Sequence, residues 1–303
     1  VRRSVSVPLL VVGVLLVLAV AGVGGFLLLR SSSIAGPECT VAGDAADQDR
    51  TPDVDLTAAQ LQHASTVNAV GLRRGLPERA RVIALATAFQ ESSLRNRPDG
   101  DRDSVGLFQQ RPSQGWGTPE QILDPVYASG RFYDALVEVP GWTDLPLTEA
   151  AQAVQYSGHP DAYAKWEPQA TTLARGLGGR TFVPLGCRNG ATDPAPIAAE
   201  RAAVEGLSGA DPRLTTLLEA AQAELGGVAV SSVGDDGRTA TVTASVPDLD
   251  PTAAATALAA WTVAHGTTAD VATVTTAGHR WAGHEWVGGD TAVPVGSVTV
   301  TVA

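Results

Sequence analysis

FQESSLRNRPDGDRDSVGLFQQRPSQGWG, residues 89–117, is the stretch on which the reading of this chain turns. A helical pattern leads into it. In PERARVIALATAFQESSL, the residues Val82, Leu85, Ala86 and Phe89 recur on one face at helical spacing. Pro77 suits a first helical position, and Asn96 and Pro98 signal the stop. Glu91 therefore falls in the last turn or so. A carboxylate there faces the negative end of the helix dipole, at a cost of about 0.3–1 kcal/mol, and Lys or Arg would be preferred. Violations of a local rule concentrate at functional sites. The same field, with apolar neighbours, predicts a raised pKa for Glu91. A carboxyl kept protonated near neutral pH can protonate a glycosidic oxygen. Taken alone, Glu91 reads more readily as a solvated surface glutamate.

Outward from this stretch, residues 56–187 read as an α-rich domain. LTAAQLQHASTVNAVGLRRG starts a helix near Leu56, ILDPVYASGRFYDALVEV and LTEAAQAVQYSG give two more, and Asp124-Pro125 is a good N-cap and N1 pair. Residues 188–197 form a linker. Residues 198–303 change character and predict a small α+β domain. AERAAVEGLSGADPRLTTLLEAAQAELGG reads as helices, and residues 251–264 as another. GVAVSSV, RTATVTASV, ADVATVTTAG, RWAGHEWV and GSVTVTV read as strands, with a hairpin turn in VGDDGRT.

Toward the N-terminus, residues 8–29 form an uncharged apolar run of the length a bilayer core requires. Arg2 and Arg3 precede it and an acidic stretch follows, which favours a cytoplasmic N-terminus and an exported remainder. Residues 1–30 are expected to be an uncleaved single-pass anchor in the cell membrane, with the C-terminal domains extracellular. The apolar run continues well past the Ala19-Val20-Ala21 cleavage candidate. Residues 31–55 read as a flexible tether. Formal net charge is −11, which argues against a nucleic-acid partner. The two cysteines, Cys39 and Cys187, flank the α-rich domain in turn-like contexts. Each is readable as a small buried hydrophobe, but no cysteine-protease signature surrounds either. In an exported chain, a disulfide between them would tie the ends of that domain together.

With these elements in place, the stretch resembles the lysozyme-like superfamily, in particular goose-type lysozymes and soluble lytic transglycosylases. Their mark is a helix ending in Glu-Ser, a short polar hairpin, then a Gly-Leu-Met-Gln type strand. The matching residues are Glu91-Ser92 and Gly106-Leu107-Phe108-Gln109, with Phe where Met is common. The resemblance covers roughly residues 56–170 and rests on several elements in the right order. It implies an α-rich lysozyme-like fold, belonging to an α+β superfamily, and cleavage of the β-1,4 bond between N-acetylmuramic acid and N-acetylglucosamine in peptidoglycan. Glu91 is then the general acid. Asp101, with Asp103 as the alternative, is the candidate second carboxylate. Both aspartates are also ordinary turn residues.

Ser92 and Gln109 would position substrate, and Gly106 would let sugar approach the backbone. As a strand, residues 106–109 would place Leu107 and Gln109 on one face. Lytic transglycosylases usually carry Tyr-Asn-Ala-Gly on a later helix. The closest stretch is Gln155-Tyr156-Ser157-Gly158, a departure that leaves hydrolase and transglycosylase outcomes open. Tyr156 and Tyr163 are candidates to face the cleft. Of Trp116, Trp142 and Trp166, Trp116 in the loop QGWGTP is the best sugar-facing candidate.

A second reading is a catalytically silent wall-binding module of an envelope or secretion complex, with residues 198–303 contacting a protein partner. No cofactor or metal is expected. His279 and His284 fall on opposite faces of a regular strand, and there is no HExxH, P-loop, G-x-S-x-G or G-x-G-x-x-G motif.

Overall fold

The computed structural model describes residues 39–43, 51–156, 160–182, 184–187, 201–283, 285–289 and 293–303. The expected anchor at 8–29 and the linker at 188–197 lie outside them. Among the described residues no helix is long and apolar enough to cross a membrane.

Three short strands open the fold: β1 (Cys39–Val41), β2 (Val54–Leu56) and β3 (Leu185–Cys187), in the order β2-β1-β3. Cys39 pairs with Cys187 in the antiparallel register, and the two are joined as a disulfide. This expected bridge closes the chain on itself across 148 residues of sequence.

Between β2 and β3 the chain is helical. The helices are α1 (Ala58–Arg73), α2 (Glu78–Ser92), the single turn α3 (Pro119–Ile122), α4 (Pro125–Val137), α5 (Leu147–Gln155) and α6 (Glu167–Gly176). α1 begins two residues after Leu56. Thr57 and Gln60 form a capping box, in which each side chain accepts from the other's backbone N–H. Pro77 is the cap residue of α2, one place before the first helical position. Asp124 caps α4 as expected, accepting from the Val126 and Tyr127 backbone N–H groups. α2 is the central helix, packed against α1, α4, α5 and α6. Ala80 through Phe89 are all buried, Arg81 and Thr87 included, so its buried surface extends all the way round. The one-face periodicity seen in the sequence is part of this wider burial.

The remaining elements are α7 (Pro212–Leu225), β4 (Val228–Val233), β5 (Thr239–Ala244), α8 (Pro251–Ala269), β6 (Val271–Thr276), β7 (His279–Ala282), β8 (Glu285–Gly288) and β9 (Ser297–Val302). The six strands form one antiparallel sheet in the order β4-β5-β9-β6-β7-β8. β4 and β5 are joined through the expected VGDDGRT hairpin. RWAGHEWV folds as two strands, because Gly283 takes a left-handed turn at φ 72°. Over the described residues 201–211 the expected helix is not formed, and it begins at Pro212. Gly206 and Gly209 adopt φ values of 86° and 79°, and Asp211 caps the helix at Arg213 N–H.

α8 is buried on nearly every side, with the sheet and α7 around it and α1 behind it. The helical part and the α+β part thus share one contiguous core. A polar cluster sits in that junction. The Trp261 indole donates to Glu224 at 2.7 Å, the His265 ring lies 3.6 Å from the same carboxylate oxygen, and all three are buried.

The disulfide is the covalent closure of the helical part. Removing it with Cys39→Ser should lower unfolding free energy by up to about 5 kcal/mol, the chain-entropy value for a loop of this length. Denaturant unfolding of the oxidised wild type beside the variant checks this. An unchanged midpoint would mean that the three-strand sheet holds the ends without the bond.

Candidate functional site

Glu91 is half-buried in the last turn of α2. The helix then stops without a glycine. Ser93 and Leu94 are both left-handed, at φ 55° and 57°, a conformation unfavourable for residues with a Cβ. The stop thus comes earlier than Asn96, and three contacts impose it. Leu94 N–H donates back to the Ala88 carbonyl at 3.1 Å. From α1, Gln60 donates to the Ser93 carbonyl at 2.8 Å, and the His63 Nδ1 lies 2.8 Å from the Leu94 carbonyl oxygen. The Leu94 side chain is fully buried.

The Glu91 carboxylate accepts a hydrogen bond from the Tyr163 hydroxyl at 2.7 Å. Tyr163 is fully buried, so its hydroxyl is held in place by packing. Burial pushes the Glu91 carboxyl above its ordinary pKa, and hydrogen bonds from Tyr163 and Gln155 partly oppose that rise. Gln155, at the end of α5, also donates to the Phe108 carbonyl at 2.7 Å. It therefore couples Glu91 to the 106–109 segment.

That segment is a tight turn, not the expected strand. Val105 and Gln110 bridge across it, and Gly106 at its start bridges to Arg97. Gln109 is left-handed at φ 48°, and its amide donates to the Gly106 carbonyl at 3.1 Å. Leu107 and Phe108 are both fully buried, Phe108 stacking on Phe132 at 4.7 Å. Leu107 and Gln109 thus do not share a sheet face. Gly106, at φ 82°, is approached by the Ile122 carbonyl, which would lie 2.7 Å from an added Cβ. The close approach to Gly106 is therefore made by α3. Ser92 is buried, and its hydroxyl donates to the Leu107 carbonyl at 2.7 Å, close also to Ala88 O. It joins the end of α2 to the turn.

A cleft of about 680 Å³ opens beside Glu91. Asp101, Arg102, Gln109, Gln110, Gln114, Trp116, Gln155 and Tyr156 line it with Glu91. A second hollow of about 560 Å³ continues from it, sharing Gln114, Trp116, Gln155 and Tyr156. Of the predicted site residues, Glu91, Asp101, Gln109, Trp116, Gln155 and Tyr156 thus meet at one surface. Ser92, Gly106 and Tyr163 lie behind it.

The two candidate aspartates differ sharply. The Asp101 side chain is 91% exposed, with Arg102 3.9 Å away. Asp103 accepts from Ser113 N–H at 2.8 Å and from Arg111 at 2.7 Å. Bonds from Ser113 and then Arg111 hold its carboxyl well below the usual range, so it staples the loop. Trp166 stacks on Phe89 at 5.1 Å and donates to Gln90 at 3.0 Å. Arg102, Arg111 and Gln114 were not singled out from sequence, although all three lie in the opening polar stretch.

Among the described residues no group of His, Cys, Asp and Glu has the arrangement to hold a metal ion. His265 is buried in α8, and His284 lies outside the described residues. No family model matches the chain, and no curated protein does.

The turn geometry is directly checkable. Gly106→Ala combines a left-handed φ with a backbone clash, and should destabilise by more than about 1 kcal/mol. Asp103→Asn should loosen the 101–114 loop and raise its proteolytic cleavage rate. Equal cleavage of wild type and Asp103→Asn would contradict the staple.

Proposed function

We propose that the protein is an exported peptidoglycan glycosidase, anchored in the membrane, with a lysozyme-like helical part. The observation that carries this reading is Glu91, a carboxyl held toward its protonated form on the wall of a polar cleft. Burial disfavours its anion, and the Tyr163 hydroxyl fixes one oxygen. Such a group can deliver a proton to a glycosidic oxygen as the bond to the sugar ring lengthens. Positive charge then grows on the ring. Once deprotonated, Glu91 is stabilised by the Tyr163 and Gln155 hydrogen bonds, which favour the charged form. Burial thus keeps the proton available, and the Tyr163 and Gln155 bonds help to hold the anion left after its transfer.

Asp101 is the available second carboxylate, since it lines the cleft and Asp103 is engaged by Arg111 and Ser113. Its exposure suits orienting a water, or stabilising the cation at a distance. Gln109, Gln114 and Gln155 bring amides to the cleft, a group that can donate and accept as N-acetyl and hydroxyl groups require, whereas Gln110 is buried and donates to the Ala128 carbonyl at 3.3 Å. Trp116 offers an apolar ring surface at the ridge between the two hollows.

Incubation of the full chain with purified peptidoglycan should release muropeptides, and Glu91→Gln should release none. Mass spectrometry separates anhydro ends, made by a transglycosylase, from reducing ends, made by a hydrolase. Wall binding by both proteins without release would replace the enzyme reading with the binding-module one.

Activity should fall as pH rises through the elevated Glu91 pKa. Tyr163→Phe removes a bond that favours the anion, so that alkaline limb should move to higher pH. A limb that stays put would dissociate Glu91 from the titration. The stability effect has a definite sign. The folded state binds the Glu91 proton more tightly than the unfolded state, so ionisation opposes folding. Glu91→Gln should therefore raise the thermal midpoint near neutral pH. The gain should shrink as pH falls from the elevated folded-state pKa toward the ordinary glutamate range, and vanish below it.

A further inference from the structure

At the opposite end of α2 from Glu91, a hollow of about 370 Å³ lies between the α1–α2 turn and the loop before α8. Arg81, Arg180, Glu78, Asp248 and Leu76 are among its lining residues. Arg81 is only 3% exposed. One amino group, Nη1, donates to Asn68 Oδ1 at 2.6 Å and to the Ala174 carbonyl at 2.8 Å. Its Nε is buried with no partner, and among the described residues no carboxylate lies within ion-pair distance. A guanidinium remains charged in proteins, so burial cannot be relieved by deprotonation. A buried cation without a counter-ion is unfavourable unless something supplies the opposite charge.

The acids nearby supply it only in part. The Glu78 carboxylate favours the Arg81 charge from beyond ion-pair distance, while it is itself engaged by Arg175 at 3.1 Å. Asp248 lines the hollow, but the contact it makes with Arg180 is through its backbone carbonyl, at 3.0 Å. Arg180 is close enough for its charge to disfavour that of Arg81. Two like charges thus converge on one space.

We propose that this hollow binds an oxyanion of the phosphate type, held between the Arg81 and Arg180 guanidiniums. Planar guanidinium forks match phosphate oxygens geometrically, and a dianion answers two positive charges better than a monoanion does. The hollow exceeds a single water's share of about 30 Å³ severalfold. It has room for the anion together with a group that carries it. Its walls come from the α1–α2 turn, Arg180 and Pro247–Leu249, so an occupant would tie the helical part to the loop entering α8.

The test is calorimetric titration of the full chain with inorganic phosphate at fixed ionic strength, followed by the same titration with glycerol phosphate. Saturable uptake of one phosphate per chain is expected, with competition by sulfate. Arg180→Gln should weaken it at least about tenfold, and Asp248→Asn should tighten it by removing an opposing charge. Both variants alter groups at the edge of the hollow and leave the buried Arg81 in place. Near-UV circular dichroism verifies their fold. Tighter binding of glycerol phosphate would assign a carried phosphoryl group, and tighter binding of phosphate the free anion. No saturable uptake below ~10 mM, or equal affinity in Arg180→Gln, would overturn the site.

Discussion

A carboxyl at the end of a helix that is buried on all sides is the constraint from which the rest of the site follows. α2 has no exposed face over Ala80–Phe89, so its C-terminal turn is where this central helix reaches the cleft. Glu91 stands at that point of emergence. Water reaches it from one side only, and the helix dipole adds to the penalty on its charge. Tyr163 answers that penalty from inside, through a hydroxyl whose ring packing fixes its direction. The result is an acid whose proton is retained by burial and whose anion is still provided for.

Keeping this geometry requires the helix to stop abruptly. Two consecutive left-handed residues, Ser93 and Leu94, make the stop, and neither is glycine. The strain is offset by α1, through Gln60 and His63 on the two freed carbonyls. Ser92 then ties the stop to the 106–109 turn, and Gln155 ties that turn to Glu91. α1 also packs on α7 and α8, so the element that fixes the end of α2 is the one shared with the α+β part. Burial lowers the His63 pKa, keeping the ring toward its neutral form in that junction.

Much of this was legible in the residues. The cap at Asp124, the apolar runs and the alternating strands are local signals, and they placed most elements. Glu91 was legible because it breaks a local rule. The 106–109 segment was misread as a strand because its turn depends on Ile122 above Gly106 and on burial of Leu107 and Phe108. Those contacts come from distant parts of the chain. Tyr163 and Tyr156 were not separable by pattern. The structure buries one against Glu91 and leaves the other 85% exposed. The sequence favours Asp101 over Asp103 only through the resemblance, whereas in the fold Arg111 and Ser113 claim Asp103.

The central claim is that Glu91 keeps its proton to higher pH than an ordinary glutamate. The most direct measurement is a carbon-13 NMR titration of the side-chain carboxyl carbons, with Glu91→Gln used to assign the resonance. The account predicts a Glu91 midpoint clearly above the usual carboxyl range, and a further rise in Tyr163→Phe. A midpoint at or below the ordinary glutamate value would contradict it, leaving Glu91 an ionised wall of the cleft with no proton to give.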